Sequence, residues 1–357
     1  MHATLKTKNQ AGFTILEMII SMTVMLVVGG AVFSLMRDSM KVASTTYEMT
    51  DAQEGLRTAQ EYLNRDLMNA GDGLNSINNI RVRRGFVTDY LALSPIDDTN
   101  YAGMVNLGIL TSDDDTLENT AVLATNPAVN VRWNPDAADR TDRVSIMQID
   151  PSFTPIALDS GKINPSGNSV TISAADVGRF QIGEVYFISS AAGATFGMIT
   201  DITNTPSLTF AAGDALGLNA PGNGGPINVV SSGGTIPTSL MRIRIIHYYV
   251  NSNGCLRRRV FGVSGGTFTD SLIAEHVIST QFRYLLSLRD AGGNVVQPQT
   301  QLTSSQEQLA INQVEVTITV ETAHTIHNNA QNRLSMVTGT SVRNMQFRGA
   351  LQPTAGG

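Results

Sequence analysis

A single carboxylate stands inside an otherwise apolar N-terminal segment, and its setting is the strongest chemical signal in the chain. From Phe13 to Met36 the only ionisable side chain is Glu17. A carboxylate inside a membrane is costly unless it meets a partner, so the pattern predicts electrostatic pairing rather than catalysis. The residue in front of this segment is Gly12, whose freedom in φ and ψ suits the extended backbone that a protease cleaves.

The element that positions Glu17 is predicted to be a membrane-spanning helix. The run from Phe13 to Met36 reaches ~36 Å at ~1.5 Å per residue, enough to cross ~30 Å of hydrocarbon. A short polar leader with Lys6 and Lys8 precedes it. A secretory signal has its apolar core before the cleavage site, whereas here the predicted cleavage point lies in front of the core. The anchor is therefore expected to stay with the mature chain.

This order of residues resembles the N-terminus of type IV pilins. Residues 12–17, Gly-Phe-Thr-Ile-Leu-Glu, follow the G-F-T-x-x-E pattern of that family, which includes the pseudopilins of type II secretion. The resemblance implies that prepilin peptidase cuts between Gly12 and Phe13 and methylates the new amine of Phe13. It also implies that Glu17 recruits a neighbouring subunit by pairing with that subunit's amine. The alternative from the residues alone is a simple single-pass anchor with one tolerated polar residue.

The helix is predicted to continue beyond the membrane, from Phe13 to Ala70. Apolar or small residues recur mostly at steps of three and four, which is the helical period. They are Met40, Ala43, Tyr47, Ala52, Leu56, Ala59, Leu63, Leu67 and Ala70. Gly71-Asp72-Gly73 then supplies a stop signal. The stretch from Arg65 to Gly71 is also similar to the end of this helix in PilW-type minor pilins.

Composition divides the chain into five parts. They are a leader at 1–12, the long helix at 13–70 with its membrane part at 13–36, a first head segment at 71–150, an inserted β-rich subdomain at 151–240, and an antiparallel sheet with the C-terminal segment at 241–357. Residues 151–240 carry few charges, and short β-rich runs alternate there with Gly- and Asn-containing turns. Further strands are predicted at 143–149, 241–250, 256–263, 277–288 and around 314–320.

The predicted fold class is α+β and type IV pilin-like, with the long helix packed on an antiparallel sheet. Residues 251–254, Asn-Ser-Asn-Gly, predict a hairpin turn between two C-terminal strands. Val314, Val316, Ile318 and Val320 alternate with polar residues, which predicts a half-buried strand. The order of the Tyr248-Tyr249 strand, Leu256-Arg257-Arg258 and Val342-Arg343-Asn344 also resembles the pattern of PilW and of pseudopilin J.

Other patterns that could do chemistry are weaker. Residues 262–266, Gly-Val-Ser-Gly-Gly, fit a serine-hydrolase motif around Ser264, and Asp270 and His276 follow in hydrolase order. The segment is nevertheless expected to be a Gly-rich turn between two strands, which lacks the strand-to-helix elbow that the motif needs. His324 and His327 are spaced for one helix face, but no third metal ligand is near them in sequence. No catalytic residue and no metal site is predicted, and the chain is expected not to be an enzyme.

Three charged or reactive groups receive structural interpretations. Asp113-Asp114-Asp115 offers oxygen ligands of the kind that Ca²⁺ prefers, but it lacks the D-x-D-x-D-G spacing of a calcium-binding loop. A solvent-exposed turn is therefore preferred over a calcium site, and no cofactor is predicted. Residues 257–259 are three arginines in a predicted strand whose alternation points Arg258 away from its neighbours, and they are expected to be solvated or to face another subunit. Cys255 is the only cysteine, which excludes an intrachain disulfide and indicates a half-buried residue beside a turn.

A nucleic-acid surface is not expected, because the formal charge is −6 and no basic stripe is present. The resemblance implies a non-catalytic minor pilin that takes part in the initiation or assembly of a type IV pilus. Its partners would be prepilin peptidase, other minor pilins, the major pilin and the inner-membrane assembly platform. It would stand in the inner membrane with a periplasmic head and then reach the pilus and the cell surface. Two alternatives stay open, namely a minor pseudopilin of a type II secretion system and a pilus-tip adhesin acting through residues 151–240.

Overall fold

One helix, α1 (Ile15–Met68), runs through 54 residues and organises the molecule. The computed structural model describes residues 12–74, 80–93, 96–97, 100–113, 141–203, 206–262, 268–289, 293–302, 307–308, 310–322, 332–342 and 344. α1 begins after its N-cap Thr14 and ends at its C-cap Asn69, close to the predicted bounds of 13 and 70. The chain then turns away through Gly71 and Gly73, whose φ values of 76° and 71° suit glycine.

The predicted apolar stripe of α1 is buried only in the second half of the helix. Met40 and Tyr47 keep 60% and 76% of their surface exposed. Ala52 is the first stripe residue that packs partly against the main core. The head therefore covers α1 only from about this position onward. The stripe residues within the core are Leu56, Ala59, Leu63, Leu67 and Ala70.

The head is built mainly from short strands. In chain order the described strands are β1 (Ile80–Arg83), β2 (Ile96–Asp97), β3 (Met104–Leu107), β4 (Leu110–Asp113), β5 (Arg143–Ile149), β6 (Ile156–Leu158), β7 (Ser169–Thr171), β8 (Val185–Ser190), β9 (Gly193–Met198), β10 (Asp201–Thr203), β11 (Ser207–Thr209), β12 (Thr238–Val250), β13 (Leu256–Phe261), β14 (Phe268–Ala274), β15 (Val277–Leu286), β16 (Ile311–Glu321) and β17 (Arg333–Ser341). Two short α-helices, α2 (Arg84–Tyr90) and α3 (Pro226–Ser231), and a 3-10 helix at Val177–Arg179 accompany the described strands.

The main sheet contains eleven of the described strands. Its order is β14-β13-β12-β8-β9-β1-β3-β2, with β5 and β6 also paired to β12 and with β4 paired to β5. β12 connects the two halves of the sheet, because its first part pairs with β6 and β8 and its second part pairs with β5 and β13. The described pairs are antiparallel apart from β1 with β9, which is parallel.

The C-terminal strands divide between two sheets instead of forming the single predicted sheet. β15, β16 and β17 make a separate three-stranded antiparallel sheet. A parallel bridge between Thr141 and Thr280 links it to the chain in front of β5. α1 packs against β14 of the main sheet and against β16 and β17 of the smaller one. The buried half of the helix therefore lies where the two sheets meet, in an α+β architecture.

Part of the segment 151–240 forms a second core beside the main one, while other buried residues of the segment belong to the main core. β8 is shared by both cores, because Val185 and Phe187 face the main core whereas Tyr186 and Ile188 face the second. β7, β10 and β11 form a third, small sheet in this part of the chain. The assignment of residues 151–240 as an inserted subdomain stays a prediction, and β8 ties this segment to the rest of the head through β12.

Local sequence patterns predicted several strands correctly. β5 has the predicted bounds. The predicted turn connects β12 and β13, with Gly254 at a φ of 72° and the backbone N–H of Asn251 donating to the carbonyl of Cys255 at 2.9 Å. Along β16 the predicted alternation is also confirmed, since the four aliphatic residues at 314, 316, 318 and 320 are buried and those between them are half-buried.

Candidate functional site

The first turn of α1 holds Glu17 in a capping box with Thr14. The Thr14 hydroxyl accepts the backbone N–H of Glu17 at 3.3 Å. In return, Oε2 of Glu17 accepts the backbone N–H and the hydroxyl of Thr14, both at 3.1 Å. Thr followed three residues later by Glu produces this reciprocal arrangement at a helix start. It fixes the carboxylate within the first turn of the helix.

Gly12 and Phe13 lie in front of the helix in open surroundings. Phe13 is 87% exposed. No heavy atom lies within 4 Å of the position that a Cβ on Gly12 would take. The peptide bond between these residues is therefore sterically accessible, and its hydrolysis would leave an amine on Phe13, ~6 Å along the axis from Glu17. The structure thus brings the three predicted site residues together at an unobstructed helix end.

The first half of α1 presents an uncovered apolar surface. None of its most apolar 18-residue stretch is buried. By length and composition the helix could cross a membrane. Exposed apolar surface of this extent indicates contact with lipid or with other apolar elements. The large apolar side chains of this surface that are more than half exposed include Ile15, Leu16, Met22, Met25, Leu26, Phe33 and Leu35.

The N-terminal segment with this geometry also matches a known sequence family. Residues 7–33 match the model of the prokaryotic N-terminal methylation motif. The chain has a prepilin-type N-terminus. The motif indicates a type IV pilin or pseudopilin-type precursor that prepilin peptidase processes, and the long apolar helix adds support for a type IV pilin-like protein. Pilin-type proteins with this motif are structural subunits rather than enzymes. No curated protein matches the chain.

A buried ion pair joins the prepilin-type helix to its head, and sequence reasoning missed it. Asp66 is 2% exposed, and its Oδ2 accepts the hydroxyl of Tyr248 and Nε of Arg258, each at 2.6 Å. Desolvation and the Asp66 carboxylate raise the pKa of Tyr248, so the phenol stays a donor. The sequence signal that could have revealed this ion pair is the position of Asp66 within the apolar stripe, three residues after Leu63. A carboxylate in that phase of a helix needs a partner from the packed element.

The three arginines at 257–259 are paired within the head, so the prediction that they are solvated or face another subunit is wrong. Arg257 Nε and Arg259 Nη2 lie 3.3 and 3.1 Å from the two carboxylate oxygens of Asp270. Arg258 projects to the opposite face, where it meets Asp66. The predicted alternation of the three side chains is therefore confirmed, while their environment differs because both faces of β13 are covered.

A second buried polar contact lies within the sheet. Oγ of Ser145 and Nδ1 of His247 are 2.8 Å apart, and both residues have no exposed surface. Burial, followed by the nearby Arg259 and Arg143 guanidinium groups, holds the pKa of His247 well below its usual value. The imidazole is therefore neutral at physiological pH and inaccessible to substrate, so this pair serves packing between β5 and β12.

The remaining candidates have the following positions. His276 is exposed at the turn between β14 and β15, with a left-handed φ of 56°. Cys255 is half-buried beside the β12–β13 turn as predicted, and burial raises the pKa of its thiol. Within the described part of the chain, no group of three or more His, Cys, Asp or Glu residues could hold a metal ion. Ser264, His324, His327, Asp114 and Asp115 lie outside the described residues.

Proposed function

We propose that the protein is a non-catalytic minor pilin of the PilW type that takes part in the initiation and assembly of a type IV pilus. One observation carries this proposal: the apolar half of α1 is uncovered, with an accessible Gly12–Phe13 bond at its start and Glu17 one turn inside. Such a helix serves as a membrane anchor and, after processing, as an apolar surface for other subunits.

Processing would create the charge that Glu17 needs. Cleavage after Gly12 by prepilin peptidase leaves an α-amino group on Phe13, which titrates near ~8 and is largely cationic at neutral pH. A single N-methyl group keeps that positive charge. In the low dielectric of a membrane or a helix bundle, a cation and a carboxylate at short range attract strongly. The amine of one subunit would thus form an ion pair with Glu17 of the next.

The capping box supports this role for Glu17. Both hydrogen bonds from Thr14 end on Oε2, so they orient the carboxylate and leave Oε1 to accept from a neighbour's amine. Thr14 therefore acts as a positioning residue. The assembled partners would be other minor pilins and the major pilin, recruited through the inner-membrane platform, with the head on the periplasmic side before assembly and on the pilus afterwards.

The first experiment is mass analysis of the N-terminus of the protein from its native cells. We expect a mature chain that begins at N-methyl-Phe13. Glu17→Ala should still be processed but should be absent from the assembled filament, whereas Asp38→Ala, an exposed acidic residue on the same helix, should assemble normally. A chain that still begins at Met1 in cells with active prepilin peptidase would overturn the proposal. A processed protein found only in a type II secretion pseudopilus would replace the minor pilin by a minor pseudopilin.

A second candidate function is adhesion at the pilus tip through residues 151–240, which is favoured by the second core within this segment. Deleting the whole segment is a poor test, because β8 pairs with β12 in the main sheet. Ile182 is a large apolar residue of this segment that is 55% exposed. Loss of adhesion in Ile182→Asp cells with normal piliation would support an adhesin, and unchanged adhesion would count against contact at this surface.

A further inference from the structure

The part of α1 between the apolar segment and the head carries two groups of opposite charge on one face. Arg37 and Lys41 form the first group, and Glu48 and Asp51 form the second. With ~3.6 residues per turn, all four side chains project from one stripe of the helix. This stripe, from Phe33 to Asp51, is called the charged stripe here. Its first part also has apolar residues in solvent, since Phe33 is 76% exposed.

The acidic end of the charged stripe borders a groove at the point where α1 enters the head. The groove has a volume of ≈ 290 Å³ and lies between α1, the turn from β14 to β15 and the end of β16. Negative charge concentrated along a concave surface attracts a cationic segment. The carboxylates that line the groove are Glu48, Asp51, Glu54, Glu275 and Glu321.

We propose that the charged stripe docks the same stripe of a second copy of the chain, with Arg37 and Lys41 of one copy against Glu48 and Asp51 of the other. The inference rests on the proposed function, because it requires assembled subunits. Both copies are anchored through the same N-terminal segment, so their helices run parallel. The pairing then moves one copy towards the head of the other by about eleven residues, or ~16 Å along the axis.

The same shift improves the fit of the uncharged positions. It places Phe33 of one copy beside Ser44 of the other, and Lys41 beside Ala52. Both Ser44 and Ala52 are small, which lets a longer side chain from the neighbouring helix approach the backbone. Gly55 follows on the same face of α1 and lines the groove at its head end. The stripe is thus complementary to itself in shape as well as in charge at this one offset.

The offset also separates this contact from the contact of Glu17. A pair between Glu17 and a neighbour's amine needs a shift of only ~6 Å, so the two contacts involve different neighbours of one subunit. Two copies at equal depth in a membrane would place Arg37 against Arg37, which is repulsive. The charged stripe therefore docks only between staggered copies, and it sets the register of assembly.

Disulfide trapping in sheared filaments tests the docking. In a Cys255→Ser background, Arg37→Cys with Glu48→Cys should give disulfide-linked dimers several-fold above the matched control, Arg37→Cys with Thr46→Cys. Thr46 is exposed but lies on the opposite face of α1. Equal yields from the two pairs in filaments that contain the chain would overturn the docking and leave the proposed function intact. Linkage only to a different subunit would overturn the assignment of a second copy as the occupant.

Charge reversal provides a second measurement. Arg37→Glu with Lys41→Glu should lower the amount of the chain in filaments about fivefold or more, because two ion pairs become repulsive. Adding Glu48→Lys and Asp51→Lys to the same chain should restore that amount. A failure to restore it, with N-terminal processing unchanged, would count against the proposed register. Absence of the wild-type chain from filaments would overturn the proposed function and the docking together.

Discussion

Replacing Asp66 by asparagine tests the junction between helix and head, because the change preserves the shape of the side chain and removes its charge. Asp66 is 2% exposed and accepts hydrogen bonds from Tyr248 and Arg258, each at 2.6 Å. Removing one member of a buried ion pair costs ~3–5 kcal/mol, since the remaining charge loses its compensation. The Arg258 side chain keeps 18% of its surface exposed. The amide oxygen also still accepts one hydrogen bond, so we expect the lower end, about 3 kcal/mol.

Thermal unfolding of the full chain in detergent, followed by near-UV circular dichroism, measures this loss in the packed head. For a domain of this size, ~1 kcal/mol lowers Tm by ~2–4 °C, so the expected drop is about 6–12 °C. Asp38→Asn is the matched control, because it makes the same substitution at an exposed position of the same helix. Its free energy of unfolding should change by less than ~0.5 kcal/mol.

A triple variant, Asp66→Leu with Tyr248→Phe and Arg258→Met, separates the effect of charge from the effect of packing. Replacing a complete buried polar group by apolar residues of similar volume is often neutral or stabilising. We therefore expect the triple variant to be more stable than Asp66→Asn. A drop in Tm of less than about 2 °C for Asp66→Asn would refute the reasoning. So would a triple variant that is less stable than the single one.

Three further predictions concern the head. The lowered pKa of His247 means that the unfolded imidazole gains a proton near pH ~6.5, while the folded imidazole stays neutral to lower pH. Stability is therefore complete above that pH and falls between pH ~6.5 and pH ~5, by at most ~1.4 kcal/mol per pH unit. Urea unfolding at both pH values measures this difference, and His247→Gln should lose most of it. Gly197→Ala should lower the free energy of unfolding by ~1–3 kcal/mol in the same assay, because a Cβ there would lie 2.7 Å from Phe210. The control Gly178→Ala places its Cβ in open space and should lower it by less than ~1 kcal/mol. Because burial raises the pKa of the Cys255 thiol, iodoacetamide should modify it more slowly in the folded chain at pH ~8 than in urea, and equal rates would contradict this.

The elements that were predicted well are those whose signal is local. α1 follows from one uninterrupted helical period, and β16 follows from four aliphatic residues at alternate positions. β14 and β17 were not predicted. β14 was missed because it adjoins a segment whose composition predicts a Gly-rich turn. The second, β17, carries mainly small, polar or half-buried residues, which give a weak alternation. The division of the C-terminal strands between two sheets depends on pairing partners that no local pattern specifies.

The same reason separates the two parts of the candidate site. Gly12, Phe13 and Glu17 lie within one short motif, so the sequence alone predicts their proximity. Asp66 meets partners that are 182 and 192 residues away in the chain. Its neighbours on the stripe indicate that it is buried, but no local period indicates which strands cover it. Sequence reasoning therefore predicted the uncovered end of the helix better than the end that contacts its own head.

In the proposed function, a subunit moves from lipid to a bundle of apolar helices, and this exchange has a physical consequence. Lipid tails and apolar side chains are similar environments, so the uncovered half of α1 gains little hydrophobic free energy by leaving the membrane. Direction and register must then come from the few polar groups along the helix. Glu17 would pair with an amine that exists only after cleavage, and the charged stripe would be complementary at a stagger of ~16 Å. Processing would therefore control whether a subunit joins, and the stripe would control where it stops.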